Sequence, residues 1–277
     1  MADNPLKAYF RQPSLYLRLP SNGRWWPDGS LSLPISGELP VMSMTAADEI
    51  LLQTPEALMS GEATVSLVQN CIVGINDAWG IPSIDIESIL IAIRIASMGE
   101  KMSIEATCRK CKEVSHYDID LKDHLSKFNS NLWNEKLVIG DLSFTFKPCS
   151  FKQQCDHQLK LFQYQKQSKQ INDVKDPDEK EHITNTIINE LQQLEVLFII
   201  NTINNIAVKG QLVTERDFIH EFVVNADKST GDKLKMHTAK LKEATKCNKL
   251  ELMCESCREE FKTEFSLEYT SFFSLSF

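Results

Sequence analysis

The sequence predicts an α+β fold: N-terminal strands and a small helical module, a four-cysteine pair of hairpins resembling a zinc ribbon, and a long helical insertion. Three observations carry this. Two C-x2-C knuckles, Cys108-Arg-Lys-Cys111 and Cys254-Glu-Ser-Cys257, each interrupt an alternating, strand-like run. Prolines recur through the first 44 residues, which forbids a long helix there. Apolar residues spaced by three and four dominate most of the remainder.

The N-terminal region, residues 1–44, carries Pro5, Pro13, Pro20, Pro27, Pro34 and Pro40. Short extended pieces fit between them: Ser14-Leu-Tyr-Leu-Arg-Leu19 and Ser30-Leu-Ser-Leu33 both alternate. Trp25 and Trp26 fall in the intervening loop. They read either as packing over a hairpin end or as an anchor for a partner protein.

A helical module spans residues 45–99. Thr45 and Asp48 form a capping box, so a helix starts at Ala46 and runs to about Gln53. Pro55 opens a second turn to Ser60. A third helix covers about 64–73 and stops at Gly74, with Cys71 as a core thiol. A fourth runs from Asp85 to Met98, with Ile86, Ile89, Leu90, Ile93 and Ser97 on one face.

Residues 100–121 and 248–277 contain the knuckles. Two residues between cysteines let a tight turn aim both sulfurs at one tetrahedral ion, and two such turns supply four ligands. Cys108, Cys111, Cys254 and Cys257 are therefore the candidate ligands of one structural Zn2+. Two redox dithiols, two disulfides or free buried thiols are the alternatives, although a thioredoxin-like motif would open a helix, and these do not.

Between the knuckles, residues 122–247 read as a mainly helical insertion. Lys136–Ile139 and Leu142–Phe146 pair as strands about Gly140-Asp141. Ser150 begins a helix, and a long one is expected from Asp178 to Val208. Thr214 caps another through Val224, and Ser229 or Thr230 caps the last, to about Thr245. Because the insertion leaves one knuckle hairpin and returns to the other, a shared metal would clamp its base.

Composition excludes several classes. The chain has 30 basic and 38 acidic side chains, net −8, and no basic run, which argues against nucleic acid as the main partner. No roughly 18-residue apolar stretch is present, so no membrane span is expected. Eight cysteines without a signal peptide point to a reducing compartment. Phosphate loops, H-E-x-x-H and G-x-S-x-G are missing, and the six histidines form no ligand spacing, so no enzyme is expected.

The order of short words along the chain resembles a known family. Leu17-Arg-Leu-Pro-Ser-Asn-Gly23, Met44-Thr-Ala-Ala-Asp-Glu-Ile50, Thr54-Pro-Glu-Ala-Leu58, Asn70-Cys-Ile72, the helix 85–99 and the C-x2-C hairpin are similar to the baseplate hub proteins of T-even-like contractile-tailed bacteriophages. The resemblance covers residues 14–121 and resumes near 248–269. It implies a structural or assembly protein of the tail baseplate, made in the host cytoplasm and bound to other tail proteins. Trp25, Trp26, Phe272, Phe273 and Phe277 are the docking candidates, the last three in an apolar tail expected to pair as a strand, either within its own fold or onto a partner by strand addition. A zinc-ribbon regulator contacting nucleic acid through Arg109, Lys110 and Lys112 is the competing reading, and a thiol-redox enzyme the third.

Overall fold

The computed structural model describes residues 6, 10–128, 130–171, 176–245, 249–264 and 272–273. The chain forms two compact units, Met1–Asn129 with Lys246–Phe277, and Ser130–Thr245.

In the first unit, β1 (Pro13–Arg18) pairs antiparallel with β2 (Glu38–Met42), Leu17 opposite Leu39. The expected strand at 30–33 reduces to a single bridge, Leu31 with Ile75; the partner of β1 is instead the segment after Gly37. Helices α1 (Ala46–Leu52), α2 (Pro55–Ser60) and α3 (Glu62–Cys71) follow, with the Thr45/Asp48 capping box formed. Gly74 turns the chain at φ +105°, and a Cβ there would sit 2.7 Å from the Ser32 carbonyl oxygen, so only glycine fits.

The core is built on α4 (Ser83–Met98), which starts two residues before Asp85 and ends at Gly99. It packs against β1, β2, α3 and, beyond the hairpin of β3 (Lys101–Thr107) and β4 (Val114–Asp120), against α5 (Leu121–Ser126). A one-faced stripe was the expectation. In the structure every residue from Ser83 to Ile95 except Glu87 is buried, as for a helix apolar all round.

Two buried aspartates tie the loops to this core. Asp85 accepts hydrogen bonds from the Ser21 backbone N–H (2.8 Å), the Ser21 hydroxyl (2.5 Å) and the Trp26 indole N–H (2.8 Å). Burial pushes its pKa up to about 6, against the pull of those three donors. Asp48 has the opposite balance. Burial works to raise its pKa, but hydrogen bonds from Asn70 and Thr45, with Arg11 3.6 Å away, hold it below the ordinary value.

The second unit holds a four-stranded antiparallel sheet in the order β5 (Leu137–Ile139), β6 (Leu142–Phe146), β7 (Ile203–Val208), β8 (Gln211–Val213). Helix α6 (Phe151–Gln170) packs on α7 (Pro177–Thr202), which contacts α8 (Arg216–Asn225) and α9 (Lys228–Thr245). The long helix therefore ends six residues before the expected Val208. Ile203-Asn-Asn-Ile-Ala-Val is a strand because Lys209 and Gly210 turn it back on β8 with positive φ, and Phe144 and Ile206 meet in the sheet. The guanidinium of Arg216 donates to the Ile200 and Ile203 carbonyls (3.1 and 2.6 Å), satisfying the end of α7. Two caps differ from expectation: Glu215 precedes α8 without a side-chain cap, and Asp227, which accepts from the Thr230 N–H and hydroxyl, opens α9.

The chain then returns to the first unit as β9 (Lys249–Met253) and β10 (Glu260–Glu264). The four docking aromatics among the described residues are engaged within the chain. Trp26 is bonded to Asp85, and Arg24 stacks 4.4 Å from the Trp25 ring centroid. Phe272 is fully buried in a helical turn, edge-on to Phe273 and 5.7 Å from the Arg94 guanidinium carbon. A ring with no exposed surface cannot anchor a partner, so Phe272 serves the chain's own core, with Phe273 buried beside it. Phe277 and most of the expected tail strand lie outside the described residues.

Asp85 gives a pH signature. Its folded pKa exceeds the ordinary 3.8, so its contribution to stability is full below about pH 4 and is lost as pH rises through about 6. The unfolding free energy of the wild type minus that of Asp85→Asn is expected to fall by on the order of 2 kcal/mol between pH 4 and pH 7 in urea titrations; a flat difference would contradict the assignment.

Candidate metal centre

Each knuckle is closed by the same backbone pattern. Cys108 N–H donates to the Glu113 carbonyl (2.8 Å) and Lys112 N–H to the Cys108 carbonyl (3.0 Å). Cys254 N–H donates to the Glu259 carbonyl and Arg258 N–H to the Cys254 carbonyl, both 2.9 Å. Lys112 (φ 64°) and Arg258 (φ 55°), each just after the second cysteine, take the left-handed conformation at a cost of about 1 kcal/mol. That turn folds the chain back so that both sulfurs of a knuckle point the same way.

The four sulfurs converge. All lie within 4.8 Å of one another, and close approaches run between hairpins: Cys108 Sγ to Cys257 Sγ is 3.7 Å, Cys111 Sγ to Cys254 Sγ 3.5 Å. Disulfides need about 2.05 Å, so none is formed among them. A tetrahedral ion bound at about 2.3 Å separates its sulfurs by about 3.8 Å, so the cluster has the dimensions to hold a metal ion. Cys108 and Cys254 are buried, Cys257 is half-buried and Cys111 is exposed.

The electrostatics of the thiols fit a cation at the centre. The amide of Cys111, helped by that of Lys110, pulls Cys108 down to about 6. For Cys111 the Glu113 amide works downward. Desolvation and the contacts with Cys254, Cys257 and Cys108 prevail and push it up to about 12. Four adjacent thiols cannot all ionise without a positive charge among them; a metal dication would supply it.

Three further contacts join the hairpins. Phe261 is buried with Ala106 beneath the sulfurs, and its ring meets Tyr117 edge-on at 6.1 Å. Lys110 pairs with Glu259 at 2.7 Å. The alternation of the strands marks Tyr117 and Phe261 as inward positions; nothing in the sequence signals the Lys110–Glu259 pair. That pair also neutralises part of the positive knuckle on which a nucleic-acid reading would rest. His116 is exposed, opposite Glu105 in the β3–β4 register, and is no member of the cluster.

The class this defines is a mixed α+β chain in which two remote hairpins meet through four thiols placed closely enough to hold a metal ion. The family model for T4 bacteriophage base plate protein matches residues 27–273, and the chain belongs to that family. No curated protein and no solved structure matches it. Membership makes the chain a phage baseplate component, with other tail proteins as its partners and the virion tail baseplate as its place. No helix among the described residues is long and apolar enough to cross a membrane.

Removing one sulfur tests the cluster. Cys254→Ser is expected to speed amide exchange tenfold or more in β9 and β10 while leaving α4 unchanged. Equal protection in both proteins would show that the sulfurs hold nothing together.

Proposed function

We propose that this chain is a non-enzymatic component of the baseplate hub region that acts by protein–protein docking, with one structural Zn2+ held by Cys108, Cys111, Cys254 and Cys257. The observation that supports the metal is the convergence of four sulfurs from knuckles on two separate hairpins. An all-thiolate tetrahedral donor set suits Zn2+ among the common divalent ions. With all four positions taken by protein sulfur, the ion would hold no water or substrate, so its part is structural.

The domain reading follows from the same centre. Residues 100–121 and 248–277 act as one module, and residues 122–247 as an insertion whose two ends the metal ties together. In such small modules, binding the ion supplies folding free energy on the order of 10 kcal/mol. The chain would acquire the ion in the host cytoplasm during assembly, where thiols stay reduced.

Elemental analysis of anaerobically purified protein is expected to give one zinc per chain, lost with Cys111→Ser and Cys257→Ser alike. Iron in place of zinc, or metal-free protein with unchanged melting, would refute the metal assignment. Mass spectrometry of purified baseplates tests the location separately: the chain is expected at a fixed copy number in the hub fraction.

A further inference from the structure

The second unit carries an apolar groove along α6 and α7. Its parts measure about 350 Å3 and about 420 Å3 and share Leu161 and Leu191. Leu191, Leu194 and Phe198 of α7 form the floor, and Lys235 and Lys242 of α9 line one wall. The lining on α6 runs from His157 to Lys169, about 18 Å at 1.5 Å per residue, the length of three helical turns. Leu191 remains 36% and the adjoining Ile188 46% exposed, although both sit on the apolar side of a long helix.

The charges on the two walls of the groove are one-sided, while the floor helix α7 carries Asp178, Glu179, Glu181, Glu190 and Glu195 against Lys180. Helix α6 carries four lysines and one aspartate, and α9 five lysines against Asp232 and Glu243, in a chain whose net charge is −8. Lys235 is neutralised by Glu195 at 2.8 Å. Lys242 instead lies 5.1 Å from the Phe198 ring centroid, and neither it nor Lys169 has an acidic partner among the described residues. His157, where the rim begins, has its pKa lowered first by burial and then by Lys242 and Lys160.

We propose that this groove seats one amphipathic helix of another tail protein, its apolar stripe on Leu191 and Phe198 and its acidic flanks on Lys169 and Lys242. Apolar anchors spaced by three and four, with charges of the opposite sign beside them, are what a helix-in-groove site reads. A second copy of this chain is a poor occupant, because its matching face would bring the same lysines to the same rim. The identity of the partner as a tail protein rests on the baseplate reading above; the groove and its charge do not.

The test places a photo-crosslinking residue, p-benzoylphenylalanine, at the exposed groove position Ala239 of the tagged full-length chain. The chain is recovered from infected cells in whatever tail complex contains it, and the crosslinked peptide is sequenced. The expected product is a tail-protein segment with helical apolar periodicity and net negative charge. Its yield should fall at least tenfold in Lys169→Glu/Lys242→Glu, with the melting temperature unchanged. Crosslinks to a second copy, to residues 1–129 or 246–277 of the same chain, to a basic or non-helical segment, or to nothing would overturn the proposal. So would a yield indifferent to the charge reversal. Absence of the chain from finished baseplates would count against its residence there and leave this result standing.

Discussion

Two hairpins, β3–β4 and β9–β10, come from opposite sides of a long stretch of sequence, and each is a two-stranded sheet with no third strand among the described residues. A lone hairpin is marginal in water. What joins them is four sulfurs, the Tyr117–Phe261 contact and one exposed ion pair. The ion pair is solvent-exposed and screened, so it contributes little, and the apolar floor is a few side chains. The convergence of the sulfurs is accordingly the constraint on which the closure of the chain depends. It explains why two non-glycine residues, Lys112 and Arg258, are held in the left-handed conformation at equivalent places.

The knuckles were legible because metal chemistry fixes a local spacing, and a local spacing survives in a linear sequence. The Thr45/Asp48 capping box was legible for the same reason. The words that carry the family resemblance have a physical meaning that only the structure shows. Ser21 of the first bonds Asp85 of the helix, Asp48 of the second bonds Asn70 of the fourth, and the Met44 N–H donates to Ser97 at the far end of α4. They are contact pairs around one buried helix, which is why their order along the chain is informative.

What failed to show was set by distant partners. Strand β7 continues an apolar pattern compatible with helix, and its neighbours β6 and β8 decide the matter. The first pairs from a segment sixty residues upstream of it, which no window on the sequence contains. Trp25 and Trp26 read either as packing over a hairpin end or as a docking anchor; Asp85, an acid within a distant helix, bonds Trp26. Phe272 looked like part of a tail suited to strand pairing, and the side chain that meets it, Arg94, lies far upstream in α4.

The two long helices at the centres of the units use their apolar surface differently. Helix α4 is buried from Ser83 to Ile95 except at Glu87, and three hydrogen bonds from Ser21 and Trp26 in the loops hold its Asp85 in the core. Helix α7 is secured mainly at its C-terminal end, by Arg216 on its last carbonyls, by the Lys147 N–H on Thr202 and by burial of Ile199 and Ile200. Toward its N-terminus Ile187 and Leu194 are covered, while Ile188 and Leu191 are not. Because the sheet and the C-terminal turns already fix the unit, the outer half of α7 is not required to complete its core. Apolar surface that a fold does not need for itself, bordered by lysines in an acidic protein, is disposed for association with another chain.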